Sequence, residues 1–274
     1  MAWRGDSVGN AQQGAIGSAL QGVPQGIHEE SVNQLAPIGT RLGFPDGRAF
    51  RYTHFVAAVN AAVICSQDVS ASAIAVTDGS MTAAAIGATQ VVFTDTDLIT
   101  TGDLKDQFAG GYFHMEDDAG EAYTYRIKGN DAGEASGTDG ELVVDLYDGL
   151  VVAITTDTDV AVTGNIWKNN KIATANGDSI VSGVSMRSMT AAYYGWVQTW
   201  GPVSILAEVV GSSAPSIGNP AFLDDATAGA AMAFAGVASN TTLNAGDWDT
   251  PYIGDFLYAG TDAAHVGVNL RLYP

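Results

Sequence analysis

Apolar and polar positions alternate at a period of two along much of this chain, which predicts many short strands and no long amphipathic helix. The strongest stretch, residues 193–206, holds two of the five tryptophans beside a tyrosine pair. Tyr194, Trp196, Gln198 and Trp200 fall on one face, and Tyr193, Val197 and Thr199 on the other, so a core strand is expected there. Gly201-Pro202 predicts a bend, because proline lacks a backbone donor. Residues 40–44 and 48–55 flank Pro45-Asp46-Gly47, whose backbone preferences predict a hairpin. In its second strand Phe50, Tyr52 and His54 share one face, and Arg51 and Thr53 the other.

The same alternation predicts strands at 89–94, 121–128, 141–146, 159–166, 179–184, 203–210, 220–223, 231–238, 253–257 and 266–273. In 121–128, Tyr123, Tyr125 and Ile127 are expected to face inwards and Thr124, Arg126 and Lys128 outwards. Residues 150–155 are expected to pair with 141–146 across the turn at Asp148-Gly149. In 56–65, Val56, Val59 and Val63 have helical spacing, so a short helix competes with a strand. The Gly-rich stretch 129–140 is expected to be an exposed loop.

Residues 1–37 have no sustained period and are rich in Gly, Gln, Asn and Ser, with Pro24 and Pro37. An extended arm is expected, held by another subunit; a helical turn over 11–20 is weakened by Gly14 and Gly17, at ~1 kcal/mol each relative to alanine. The expected organisation is an arm over 1–37, a β-rich domain over 38–185 and a β-barrel or sandwich portion over 186–274, with no exact internal repeat. The fold class is therefore all-β: an antiparallel barrel or sandwich, in one or two subdomains, with an N-terminal arm.

Charge narrows the functional classes. The chain carries 11 Lys plus Arg against 30 Asp plus Glu, a formal net charge of −19. That field repels nucleic acid and anionic membrane surfaces, so neither is an expected partner. The densest basic groups, Arg48 with Arg51 and Lys168 with Lys171, read as solvated strand or loop positions. With 46% hydrophobic and 15% charged residues, the composition is that of a folded chain. No secretory leader and no run of ~18 apolar residues is apparent, so synthesis in a cytoplasm is expected.

Candidate chemistry is sparse, and no catalytic, cofactor-binding or metal-ligating residue is assigned. Cys65 is the single cysteine, which excludes an intrachain disulfide and reads as a buried thiol. The acid pairs Asp95/Asp97, Glu116/Asp117/Asp118, Asp157/Asp159, Asp224/Asp225 and Asp247/Asp249 offer oxygens suited to calcium, but none lies in a calcium-loop pattern, and Asp beside Thr and Gly is ordinary turn chemistry. His28, His54, His114 and His265 lack zinc-site spacing. There is no Gly-x-Ser-x-Gly and no Walker lysine. Arg4-Gly5-Asp6 and the sequon Asn240-Thr241-Thr242 are short matches that chance supplies.

Three stretches carry a resemblance: Leu42-Gly43-Phe44-Pro45-Asp46-Gly47-Arg48-Ala49-Phe50-Arg51-Tyr52, Tyr193-Tyr194-Gly195-Trp196-Val197-Gln198-Thr199-Trp200-Gly201-Pro202, and the closing Val266-Gly267-Val268-Asn269-Leu270-Arg271-Leu272-Tyr273-Pro274. Together they resemble structural head proteins of tailed bacteriophages; residues 66–180 and the arm carry no likeness. The resemblance implies a capsid decoration or cement protein on the outer surface of the virion. It would be a homo-oligomer, a trimer for choice, with the major capsid protein as partner, no cofactor and no enzymatic activity. The alternatives are the major capsid protein itself, an acidic β-sandwich adhesion module for carbohydrate or calcium, and a hydrolase whose site forms only on folding.

Overall fold

The computed structural model describes residues 25–68, 73–76, 81–94, 105–118, 120–132, 141–174, 180–209, 214–224, 226–233 and 250–274. They form sixteen strands and no helix, in agreement with the all-β reading. The first eight are β1 (Arg41–Gly43), β2 (Ala49–His54), β3 (Ile64–Gln67), β4 (Ala73–Val76), β5 (Gln90–Thr94), β6 (Tyr112–Met115), β7 (Thr124–Asn130) and β8 (Glu141–Leu146). The others are β9 (Val160–Thr163), β10 (Asn170–Ile172), β11 (Val181–Ser185), β12 (Tyr194–Glu208), β13 (Pro220–Leu223), β14 (Ala231–Ala233), β15 (Tyr252–Phe256) and β16 (Ala264–Arg271).

The chain divides into two compact units, one of Met1–Asp68 with Ile166–Pro274 and one of Val69–Asn165. These bounds differ from the partition at 37/38 and 185/186 that the sequence suggests. The reason is strand pairing: β2 and β3, from before residue 69, pair with β12 and β11, which lie on either side of residue 185. The second unit is an insertion between β3 and β10, two antiparallel neighbours in which Gln67 faces Asn170.

In the first unit everything is built on the 15-residue β12. Its N-terminal half pairs with β2 on one side and β11 on the other. Its C-terminal half pairs with β16 and, in parallel, with β14, and the ring β12–β14–β13–β15–β16 closes into a five-stranded barrel. Ile205, Ala207, Ala221, Leu223, Val266, Val268 and Leu270 are among the residues that fill it. Small alanines beside branched residues suit the narrow interior of a barrel with so few strands. The two halves meet at the expected bend. Gly201 has φ +84°, and the buried Gln198 amide reaches the carbonyls of Trp200, Gly201 and Pro202 at 3.0, 3.2 and 2.9 Å.

Gly201→Ala tests the bend. Its φ lies in the left-handed region, and an added Cβ would stand 3.2 Å from the Arg48 Cα. A loss of about 1–2 kcal/mol is expected, read as a lower urea midpoint at unchanged slope.

Residues 56–65 resolve the competition between helix and strand in favour of a crossed loop leading into β3. Val59 and Met189 exchange backbone hydrogen bonds of 3.1 and 2.9 Å. Around them Phe55 donates to Tyr193 and Ser185 to Val63, while Ala192 donates to Phe55 and Ala62 to Ser185. The positions that play equivalent parts in these bonds, Phe55 and Ser185, Val59 and Met189, and Ala62 and Ala192, are each 130 apart (185 − 55, 189 − 59, 192 − 62), so the two loops are related by a local two-fold. Ala62 and Ala192 both take left-handed backbone, φ 58° and 63°.

The second unit repeats this arrangement, although no exact sequence repeat exists. Ala84 and Ile154 exchange hydrogen bonds of 3.0 and 2.8 Å, Leu150 donates to Ala88, and Gly87 donates to Leu150. β8 pairs with β5 and β9 with β4, as β2 pairs with β12 and β3 with β11. Phe93, Phe108, Phe113, Ile127, Leu142, Val144 and Val162 are among its core residues. The expected hairpin of 141–146 with 150–155 does not form: β8 pairs with β5 and β7, and 150–155 forms the crossed loop. Strands β4, β6 and β10 were not anticipated; each has only three or four residues, too few to establish a period. Residues 11–20, 133–140 and 234–238 lie outside the described residues.

Candidate functional site

Two places concentrate polar chemistry on an ordered frame: the root of the N-terminal segment and the outward face of the second unit's sheet. At the first, residues 25–37 pack in cis on the aromatic strand. Trp196, 1% exposed, lies among Ile27, Ala36, Leu42, Phe50 and Tyr52. Its ring meets that of Tyr52 edge-on at 5.1 Å, and Tyr52 stacks on Tyr194 at 6.2 Å. The face that alternation assigned to Tyr194 and Trp196 is thus buried by the chain's own segment.

Gln25 holds the root of this segment. Its carbonyl accepts the Trp196 indole N–H at 3.1 Å, and its side-chain oxygen accepts the Tyr52 hydroxyl at 2.7 Å. Its side-chain nitrogen donates to the carbonyls of Glu29 and Tyr194 at 2.8 and 2.9 Å. The residue is 3% exposed, and its side chain is fully hydrogen-bonded, which offsets the cost of burying an amide. Further along, the Glu30 carboxylate pairs with Arg187 at 3.2 Å and accepts the Thr190 amide at 2.8 Å. The sequence offered no signal for Gln25 beyond its place between Pro24 and Gly26.

At the second place, β6 alternates outward Tyr112 and His114 with buried Phe113 and Met115. Tyr112 lies opposite Arg126 and Thr163, and the Arg126 guanidinium sits 5.1 Å from the centre of the Tyr147 ring. His114 is held by two hydroxyls, Nδ1 at 3.2 Å from Thr124 and Nε2 at 3.1 Å from Thr163. Tyr112 and Tyr147 are half-exposed. As expected, Tyr125 and Ile127 point inwards and Thr124, Arg126 and Lys128 outwards; Tyr123 is instead exposed in the approach to β7.

The other sequence candidates are dispersed. His28 contacts the Met186 carbonyl and His265 is exposed on β16. No group of three or more His, Cys, Asp or Glu among the described residues could hold a metal ion. Glu116, Asp117 and Asp118 occupy a turn in which Asp117 accepts the Asp118 amide. Asp157 donates its amide to the Thr155 hydroxyl. Asp95, Asp97, Asp225, Asp247, Asp249, Arg4-Gly5-Asp6 and Asn240-Thr241-Thr242 lie outside the described residues. Cys65 is fully buried, and burial pushes its thiol up to about 12, which keeps it protonated and unreactive.

His54, at the end of β2, is held below its ordinary 6.5 by burial, with the Lys168 charge acting in the same direction and the Asn169 hydrogen bond against it. The folded state therefore favours the neutral ring. Its contribution to stability is full above the unfolded imidazole value of about 6.5 and is lost as pH falls through the lower folded value. In an NMR titration the His54 ring is expected to protonate at lower pH in the folded protein than in the urea-unfolded chain. Equal midpoints would contradict the burial argument.

The chain matches no protein-family model, no curated protein and no solved structure.

Proposed function

We propose that this protein is a structural component of a tailed-bacteriophage head, a decoration or cement protein on the outer surface of the shell. The observation that supports this reading most is the clamp at Gln25. A cement arm reaching a neighbouring subunit needs a root that does not slide, and Gln25 supplies one on a strand that is among the three stretches carrying the resemblance to phage head proteins. The net charge of −19 suits an outer surface better than one lining packaged DNA. Its partners are the major capsid protein and further copies of itself, as a trimer, and it takes part in no chemical reaction.

The test is electron microscopy of phage particles lacking the protein. Shells that assemble but break at lower temperature or under osmotic shock support a cement role. Failure to assemble any shell points to the major capsid protein instead. Light scattering on the purified protein checks the oligomer.

A second reading, an adhesion module, is favoured by the row of Tyr112, Arg126 and Tyr147 beside His114. Aromatic rings with neighbouring donors are what a sugar ring stacks upon, and the buried β12 aromatics do not offer that. A glycan or calcium titration that raises Tm, and loses its effect in Tyr112→Ala, supports this reading over the first.

A further inference from the structure

Cations are scarce in the second unit, and two of them share one face. Residues 69–165 carry 17 Asp plus Glu against Lys105, Arg126 and Lys128, a net charge of −14 (3 − 17). Arg126 and Lys128 stand two positions apart on β7, both exposed and both on its outward side. The four ion pairs among the described residues use Arg48, Lys171, Arg187 and Arg271, so neither Arg126 nor Lys128 is matched to an acid there.

Arg126 is held by rings instead. The register sets it opposite Tyr112 of β6, and its carbonyl accepts the Tyr147 amide at 3.0 Å, which leaves the Tyr147 ring centre 5.1 Å from the guanidinium carbon. Tyr112, Arg126 and Tyr147 therefore form one row across three neighbouring segments of the sheet, the two tyrosines about 10 Å apart at two strand spacings. Their side chains are open to solvent, at 48% and 55% exposure. Beside the row the His114 ring, 6.2 Å from that of Tyr112, is fixed by the Thr124 and Thr163 hydroxyls. Asp145, on the outward side of β8, accepts the Gln90 side-chain amide at 3.1 Å.

A guanidinium beside an aromatic ring engages that ring through its charge and its flat face, so its N–H edge stays available as a donor fork. That fork matches a carboxylate through two parallel hydrogen bonds, and flanking rings suit the apolar face of a sugar. We infer that the row of Tyr112, Arg126 and Tyr147 binds a glycan ending in one acidic sugar, with the carboxylate on Arg126 and the sugar rings on the tyrosines. This rests on the adhesion reading and gives it a ligand class. Charge also sets an upper limit. A polyanion would meet the field of the unit's many acids, whereas a single carboxylate at the guanidinium is screened from charges beyond ~8 Å in physiological salt.

The test is an NMR titration of the full chain with sialyllactose against lactose, and with cellobiouronic acid against cellobiose. Amide shifts at 112, 126 and 147 are expected with an acidic member, at an affinity about tenfold or more above its neutral partner and falling with added sodium chloride. Arg126→Gln, at an exposed position, is expected to abolish the difference within the pair. Arg271→Gln removes the same charge from the first unit and is expected to keep it. Acidic and neutral members that bind alike would overturn the inference and leave the adhesion reading standing, and so would an acidic preference that survives Arg126→Gln. No shift at the row with any of the four sugars would overturn both.

Discussion

Trp196→Ala is expected to remove about 3–5 kcal/mol from the stability of the first unit, the usual range for truncating a buried tryptophan. Against a total of about 5–15 kcal/mol, this leaves the unit marginal or unfolded at 37 °C. Three losses combine. The side chain is 1% exposed, so its truncation opens a cavity among Ile27, Phe50 and Tyr52. The edge-on contact with Tyr52 disappears. The Gln25 carbonyl loses its indole donor and stays buried, which costs about 1–3 kcal/mol of the total where water cannot enter. Tryptophan fluorescence follows the unit cleanly, because all five tryptophans lie outside 69–165. Trp196→Phe separates the terms, keeping most of the apolar burial while losing the hydrogen bond, and is expected to fall between the wild type and the alanine variant. A urea midpoint of Trp196→Ala close to that of the wild type would mean that residues 25–37 do not depend on this strand.

Replacing residues 69–165 by a short Gly/Ser linker is expected to leave the first unit folded, although it removes 97 residues (165 − 69 + 1). The chain leaves and returns on neighbouring strands. Gln67 faces Asn170, the Asp68 amide donates to the Asn169 carbonyl at 2.9 Å, and Lys171 pairs with Asp68 at 2.8 Å. Residues facing each other across an antiparallel pair are only about 5 Å apart, so a linker of a few residues spans the gap without strain. Closing a short loop costs less entropy than closing a long one, which also favours the shortened chain. Wild-type tryptophan emission and a cooperative urea transition are the expected results. An emission maximum shifted to that of the unfolded protein would show that the insertion is needed for folding. The shortened chain also tests the adhesion reading, since it lacks Tyr112 and Tyr147.

Much of this architecture was legible because a strand with one buried face writes itself as alternation. The hairpin of β1 and β2 was readable from Pro45-Asp46-Gly47, and it pairs Leu42 with Phe50 as that turn requires. Strands β5, β8, β9, β11, β13, β15 and β16 fall within a few residues of their expected positions. The crossed loops were not legible: in 56–65 the valine spacing fits a helix, and only the distant Met189 turns that segment into a paired loop. Nor was the insertion, because composition does not change at residue 69 or 165, and the pairing of β3 with β10 depends on residues a hundred positions apart.

The stretch from Tyr193 to Leu206 marks the same boundary. By itself the sequence determined that this is a core strand with a bend at Gly201-Pro202, since the period of two and the missing proline donor are local properties. What the strand serves was decided only by tertiary structure. Its first half is covered by residues 25–37 through Gln25, and its second half closes a five-stranded barrel. Each of these contacts pairs residues far apart in the chain. A polar side chain such as Gln25 or Gln198 looks the same in sequence whether it meets water or a buried partner.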